Sequence, residues 1–587
     1  MELTQKSVFT LPQSKWETSL HSACIVMLTL FMGLFFQVAW QYPVVDSFPL
    51  IERLLNPEFL PNDFYTNTFD AFSPRLILAS CIAYTSQLLD IHYTYVVAYG
   101  NIVRIWVYAI GLYWLFKQLA NHQVALIAFA LSALSFLSVP FLPAWWPVTF
   151  DFTASNVALT FSIFAWGMVI RKNVASALML MTGAVVFHPL VGVHGVILCL
   201  LIFISYHGWA ALWPLFKSVP IYIASGIFCC AFLALYLSFD KVLDDARFAE
   251  INGLYRHAHH FLLGHMDMEK WLSTGLMLAL SLVLLFKLDI PSSLRRLTIT
   301  IYGYAITLTL LGFLFIEVWP TRFMVSFIPM RAFPIIVPIM VLIWSLFSYE
   351  LFKRKYFIAF LATFIPYLPY KQVGLTWFVF PNHHELMLPL VMIPISLILI
   401  FLFTRQHKLL TTTNHRIHTW INKLTQNPQP VIFLAPIALV ALGLAFVRFD
   451  LNIPNLKQEP PVYQWLLENT AADEVIVSEL HGANNQKIRL LSKRAVVVSK
   501  DFPFNEQFYE AWYSRYSSLY IERDQARGNI DNLEEDILWN LMRRYDASIL
   551  IRTKAIPSPS KFKLIGEVAG EKGDVIVYRI NKLGETT

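Results

Sequence analysis

The sequence predicts a mostly α protein: a polytopic transmembrane helical bundle of about 13 spans, followed by a C-terminal soluble α/β domain. Three observations lead there. Of 587 residues, 56% are hydrophobic and only 14% charged, against about 25% charged in soluble globular chains. The deficit is uneven, because residues 22–447 form a series of apolar blocks, each near the ~20 residues a bilayer demands. After Arg448 the charges return and the long apolar runs stop. The chain therefore divides into a cytoplasmic N-terminus at 1–21, a transmembrane domain at 22–447 and an outside domain at 448–587. A long first outside loop occupies 41–74.

Residues 1–19 are polar and contain Lys6 and Lys15. The run Ala23 to Ala39 is long for a signal core and no small-x-small cleavage site follows, so it is read as the first span. Lys and Arg mark cytoplasmic loops, and four short stretches qualify: Arg171-Lys172, Lys287 to Arg296, Lys353 to Lys355, and Arg405 to Lys423. Between them the segments pair out and back: 175–188 with 190–206, 219–238 with 271–286, 298–316 with 333–349, and 357–370 with 386–404. Upstream, 76–90 is an interfacial helix, and spans at 92–116, 123–141 and 155–170 reach Arg171. A last span at 430–447 carries the chain outward.

The formal net charge is +6. Without an arginine-rich run interleaved with aromatics, this excess belongs to orienting loops, and nucleic-acid binding is discarded. The five cysteines, Cys24, Cys81, Cys199, Cys229 and Cys230, lie in apolar blocks and read as buried, inert thiols. In the tail, helices are expected at Val462–Glu468 and Asp536–Tyr545. Strands are expected at Glu474–Ser478, Arg494–Ser499 and Ala547–Arg552, with a closing hairpin at 561–568 and 575–580 around Gly570 to Gly573.

Polar residues near span ends carry information, because charge at membrane depth is expensive. The first outside loop holds Asp46, and then Asn62-Asp63-Phe64-Tyr65. A partly desolvated carboxylate there can act as a general base; either residue can equally cap a turn or short helix. Asp151 reads as a helix cap. His188, in Phe187-His188-Pro189, can face a phosphate or sugar, or simply start the next helix with Pro189. Around Tyr255-Arg256-His257 with His259 and His260, a cationic cluster for a lipid phosphate fits better than a metal site, because no His-Glu-x-x-His pattern is present. Arg322 and Arg331 complete the outside cations, Arg331 at the outer start of a span.

With Asn56-Pro57 through Asp63-Phe64-Tyr65, Phe187-His188-Pro189 with Gly192, the Arg331 element, and tail stretches around Trp465, Arg494 and Trp512 to Arg515, the chain resembles the GT-C superfamily of integral membrane glycosyltransferases. Within it, the chain is most similar to a group of bacterial polytopic membrane proteins of uncharacterised function. The resemblance implies a multi-pass protein of the bacterial inner membrane, N-terminus cytoplasmic and tail periplasmic. It implies transfer of a sugar from a polyprenyl-phosphate-linked donor to a hydroxyl of a glycan, lipid or protein acceptor, in cell-envelope synthesis. The base would be Asp63 first and Asp46 second. Arg331, Arg256, His188, His257, Arg322 and Tyr65 would hold lipid phosphate and sugar. The adjacent acidic pair common in such loops is absent, since Asn62 precedes Asp63, so no cofactor is expected and a divalent metal is not favoured. Two other readings compete. A lipid-linked glycan transporter predicts repeats and mid-span charges, of which Arg104 is the clearest. A non-catalytic assembly protein would bind a partner through the aromatic stretch Phe502 to Tyr520.

Overall fold

The computed structural model describes residues 47–72, 75–135, 152–237, 241–256, 268–329, 336–354, 356–367, 387–404, 459–479, 484–499, 502–520 and 530–581, with isolated positions 22, 25, 26, 29, 262 and 264. The first loop contributes α1 (Phe48–Leu55), the one-turn α2 (Phe64–Asn67) and α3 (Leu76–Leu89). The membrane domain continues with α4 (Tyr93–Leu119), α5 (His122–Ser135), α6 (Ala154–Ile170), α7 (Val174–Phe187), α8 (Pro189–His207) and α9 (Val219–Leu237). After the short α10 (Asp245–Ala249) come α11 (Met268–Lys287), α12 (Ser292–Gly312, extended by a π-helical turn to Val318), α13 (Arg322–Phe327), α14 (Ile336–Lys353), α15 (Phe357–Ala362) and α16 (Met387–Thr404). Among the described residues, α4, α8, α9, α12 with its extension, and α14 are long and apolar enough to cross a membrane. Shorter apolar helices, α3, α5, α6, α7 and parts of α11 and α16, lie among them.

The expected span at 357–370 is not one helix. α15 has six residues, a rise of ~9 Å. It ends where the Thr363 hydroxyl turns back to the Phe360 carbonyl (2.6 Å), while Trp344 Nε1 holds the Thr363 carbonyl (2.9 Å). The spans expected at 22–40 (isolated positions apart) and 430–447 lie outside the described residues. Cysteine burial also needs correction: Cys199 is buried, but Cys81, Cys229 and Cys230 are exposed on helix faces, as lipid-facing residues are in a structure without lipid.

Polar contacts sort the helix ends into two levels. His207 at the end of α8 meets the Val169 carbonyl (3.1 Å), and Arg296 donates to the Ser205 carbonyl (3.2 Å). These contacts put Arg171-Lys172 and Arg295-Arg296 at one level. At the other, His188 Nδ1 accepts from Val191 N–H (3.3 Å) and caps α8, with Pro189 in its first turn. The α7–α8 hairpin closes tightly there: a Cβ on Gly192 would lie 2.6 Å from Val185 Cα.

The tail forms a five-stranded sheet in the order β2-β1-β3-β5-β4: β1 (Val475–Ser478), β2 (Ala495–Val496), β3 (Ile549–Arg552), β4 (Phe562–Gly570) and β5 (Gly573–Ile580). β1 runs parallel to β2 and β3, while β5 is antiparallel to β3 and β4. Successive residues face opposite sides. Ile476, Val496, Ile549, Val575 and Val577 pack under α17 (Pro461–Asn469). Val475, Val477, Leu550 and Tyr578 pack under α18 (Tyr509–Tyr520) and α19 (Glu535–Arg544). The expected second strand shrinks to two residues. The aromatic stretch expected as an exposed partner surface is core: Phe502, Tyr509, Trp512, Tyr516 and Tyr520 are all buried, with Trp512 stacked on Tyr516 at 4.8 Å.

Gly192→Ala should destabilise the α7–α8 hairpin by about 1–3 kcal/mol, the usual cost of overpacking. The measurement is thermal unfolding in detergent, with Gly226→Ala, whose added Cβ meets nothing within 4 Å, as the unaffected control.

Candidate functional site

The tail domain grips the membrane domain at two places. The first is built on Asp63. This residue caps α2: its Oδ2 accepts from the Thr66 N–H and the Thr66 hydroxyl, both at 2.8 Å. Its Oδ1 accepts from Arg489 Nε (2.8 Å) and Val496 N–H (2.9 Å), both in the tail. Neither side chain of this ion pair is exposed at all. Beside it, Tyr65 is buried against Phe69 (ring centroids 5.0 Å), with the Arg489 guanidinium 5.2 Å from its ring. Asn62 Nδ2 donates to the Asp473 carbonyl (3.0 Å). Arg494, in the same part of the tail, closes the end of α17 by donating to the Leu467 and Thr470 carbonyls (2.9 and 2.6 Å), satisfying acceptors that a helix end leaves open.

The second grip lies on residues 241–256 and α13. Arg322 forks onto Glu506 (2.6 and 3.1 Å), reaches Asp245 (2.8 Å) and the Leu243 carbonyl (2.5 Å), and stacks over Phe248. Glu506 also accepts from the N–H groups of Val242 and Leu243 (2.9 and 2.6 Å). Arg247 forks onto Glu510 (2.5 and 2.9 Å) and also holds Glu250. Burial pushes the Glu506 carboxyl up, but Arg322 and the two backbone donors outweigh it and hold it below the usual glutamate range. The Glu510 carboxyl is lowered too, chiefly by its hydrogen bonds from Arg247.

Between the two grips runs a seam of arginines on aromatic rings. Arg256 lies 4.6 Å from the Phe502 ring and 5.9 Å from the Phe504 ring. Arg75, at the start of α3, lies 4.1 Å from that same Phe504 ring and donates to Ser47 Oγ (3.3 Å). Arg515 of α18 sits over Phe64 (4.3 Å) and Tyr545 (5.2 Å) and donates to the Ala511 carbonyl. Burial lowers its pKa, and among the described residues it pairs with no carboxylate. Loop 1, residues 250–256 and the tail thus bring cations to one place.

Of the expected site residues, the structure brings Arg256 to the seam. Asp63 has both oxygens occupied and no open face, which is the capping alternative and not the geometry of a base awaiting a hydroxyl. Tyr65 and Arg322 are likewise spent on internal contacts, and His188 serves as a helix cap. Asp46, His257 and Arg331 lie outside the described residues. Among the described residues, no three His, Cys, Asp or Glu side chains gather as a metal site. Sequence reasoning missed Arg75, and took Phe504 only as part of the aromatic stretch Phe502 to Tyr520. Arg75 is a lone cation after Pro74, and its partner ring is 429 positions away, so no local spacing could have paired them.

Residues 457–519 match a family described as a domain of unknown function, DUF6798. That stretch includes Arg489, Val496, Phe504, Glu506, Glu510 and Arg515, the tail's half of both grips and of the seam. No curated protein matches the chain. Among solved structures, the oligosaccharyltransferase of Archaeoglobus fulgidus in its apo form is similar, with 10% identity over 92% of this chain and 70% of that one, at a TM-score of 0.43. The same archaeal enzyme, AglB, in complex with an inhibitory peptide and a dolichol-phosphate gives 10% identity, the same coverage and a TM-score of 0.42.

Asp63→Ala leaves the Arg489 charge buried without its partner, an effect worth about 3–5 kcal/mol. The double variant Asp63→Leu with Arg489→Met should lose less than the two single variants combined, in thermal unfolding followed by tryptophan fluorescence. The second grip should respond to acid. The lowered Glu506 pKa contributes stability that is complete above the ordinary glutamate range and lost as pH falls through the folded-state value. The protection of amides 242–250, once exchange is corrected for its intrinsic pH dependence, should therefore be unchanged between pH 8 and 6 and fall in strong acid; Glu506→Gln should shrink that acid step and leave the part carried by Glu510.

Proposed function

We propose that this chain is a membrane glycosyltransferase of the GT-C kind, using a polyprenyl-phosphate-linked sugar donor at the outer face of the membrane. The observation that carries the reading is Phe504, which has the Arg75 guanidinium 4.1 Å and the Arg256 guanidinium 5.9 Å from its ring centroid. Guanidinium is the side chain best matched to a phosphate, and concentrating two at a low-dielectric seam raises their effect on one. The seam sits where helices of the membrane domain meet the soluble tail, beside the α7–α8 turn, whose Leu190 packs on the tail core and whose Phe187 packs on the first-loop core. A lipid-borne phosphate enters at that height.

In this reading Asp63 is a strut and the base is Asp46. Asp46 is the other carboxylate that the sequence offers in the first outside loop. The Asp46 carboxylate takes the proton of the acceptor hydroxyl as its oxygen bonds to the sugar anomeric carbon. The bond from that carbon to the phosphate oxygen breaks, and polyprenyl phosphate leaves with the electron pair. Arg75 and Arg256 stabilise the charge developing on the phosphate. Arg331 and His257 are held as further phosphate contacts from the sequence, and the acceptor is a glycan, lipid or protein hydroxyl. The setting is the bacterial inner membrane, with the tail in the periplasm.

The test is transfer or donor hydrolysis by purified protein in lipid nanodiscs, with a panel of labelled polyprenyl-phosphate sugars. Asp46→Asn should lower kcat by about 10²-fold or more with the donor KM kept. Arg256→Ala should raise the donor KM. Full activity in both variants overturns these assignments. Donor binding without turnover by the wild type moves the protein to transport or assembly.

A further inference from the structure

The connection between α8 and α9 is a 3-10 helix, Trp209–Lys217, in which no residue is buried. Its outward side chains are large and apolar: Trp209 is 71% exposed, Trp213 74% and Phe216 62%. A 3-10 helix repeats every three residues, so Trp213 and Phe216 share an edge, and their rings lie 6.0 Å apart. Trp209, Leu212 and Leu215 share the next edge: the two leucines pack on the bundle core, while Trp209, at the end of the element, stays exposed. The element is therefore apolar on two sides, one already covered by protein.

We infer that Trp209–Lys217 is a lipid-surface anchor, with Trp209, Trp213 and Phe216 inserted at the boundary of headgroups and acyl chains of an anionic leaflet. Two observations fix the occupant. The segment is tied at both ends to membrane-crossing helices, α8 and α9, and Gly208, with φ +84°, makes the turn out of α8 in a backbone region suited to glycine. Nine residues so tethered can lie only at the membrane surface, the depth at which tryptophan is enriched. The charge at that level also fits. Lys217 ends the segment, while the contacts of His207 with the Val169 carbonyl and of Arg296 with the Ser205 carbonyl bring Arg171, Lys172 and Arg296 to the same height. Basic groups beside a membrane surface draw anionic lipid. α9 itself packs chiefly on α7 and is the least buried of the five membrane-crossing helices, so lipid surrounds the element.

The experiment places a nitroxide at Trp213→Cys, and separately at Trp209→Cys, in a chain whose native cysteines are replaced. The protein is reconstituted in nanodiscs of phosphatidylcholine with or without phosphatidylglycerol. Collision with oxygen should exceed collision with a water-soluble nickel complex several-fold relative to a label at Lys563→Cys on the exposed tail. The depth should be ~5–10 Å below the headgroups. Phosphatidylglycerol should deepen insertion, and Lys217→Gln should remove much of that difference. Nickel access equal to that at position 563 overturns the anchor in favour of an aqueous loop. Exclusion of both reagents with dipolar broadening overturns it in favour of a second copy covering the surface. In the unmodified chain, amide exchange across 208–218 should be slower with phosphatidylglycerol present; equal exchange overturns the preference for anionic lipid.

Discussion

One ion pair with no exposure to solvent, Asp63 with Arg489, holds this architecture together. Removing two charges from water costs several kcal/mol each, and the pair is tolerable only when the remaining lone pairs and protons are used. Here they are. Asp63 accepts four hydrogen bonds, two from its own one-turn helix and two from the tail. Arg489 also reaches the Ser499 hydroxyl (3.0 Å). The same carboxylate therefore starts a helix in the first loop and holds the N–H of Val496 in β2.

All six arginines at the junction lie over aromatic rings. Arg489, Arg322 and Arg247 also pair with carboxylates and fix distances. Arg75 and Arg256 also donate to Ser47 and Asn252, and Arg515 to the Ala511 carbonyl. An aromatic face orients a guanidinium, and Phe504 has two of them near its ring, at 4.1 and 5.9 Å. The grip at Glu506 and Glu510 holds residues 241–256 against the tail and so keeps Arg256 beside Phe502.

Much of the fold was legible because its signals are local. Bilayer-length apolar blocks located the long helices, and short apolar, β-branched runs located β1, β3 and the closing hairpin. Pro189 marked the start of α8 as one of two options, while the His188 side-chain cap was not foreseen. What failed was non-local. α15 stops because Trp344 and Thr363 meet across two helices, which no window of sequence contains. Phe502 to Tyr520 looked like an aromatic surface because composition does not say which side a helix turns inward. Asp63 was legible as a special carboxylate, but its role depends on a partner in another domain. The charge of Asp63 suggested chemistry, and its complete burial assigns it to architecture.

The distance along the chain between Asp63 and Arg489, 426 residues, also orders the protein's birth. At about 5–20 residues per second of synthesis, loop 1 emerges roughly 20–90 s before the arginine that completes it. During that interval Asp63 has only its own helix turn to satisfy it, and the cap can form while the seam cannot. A ribosome that stops short of the tail leaves a chain whose spans are in place but whose first loop is open to proteases. Full-length synthesis and a closed outer surface are thus read by one carboxylate.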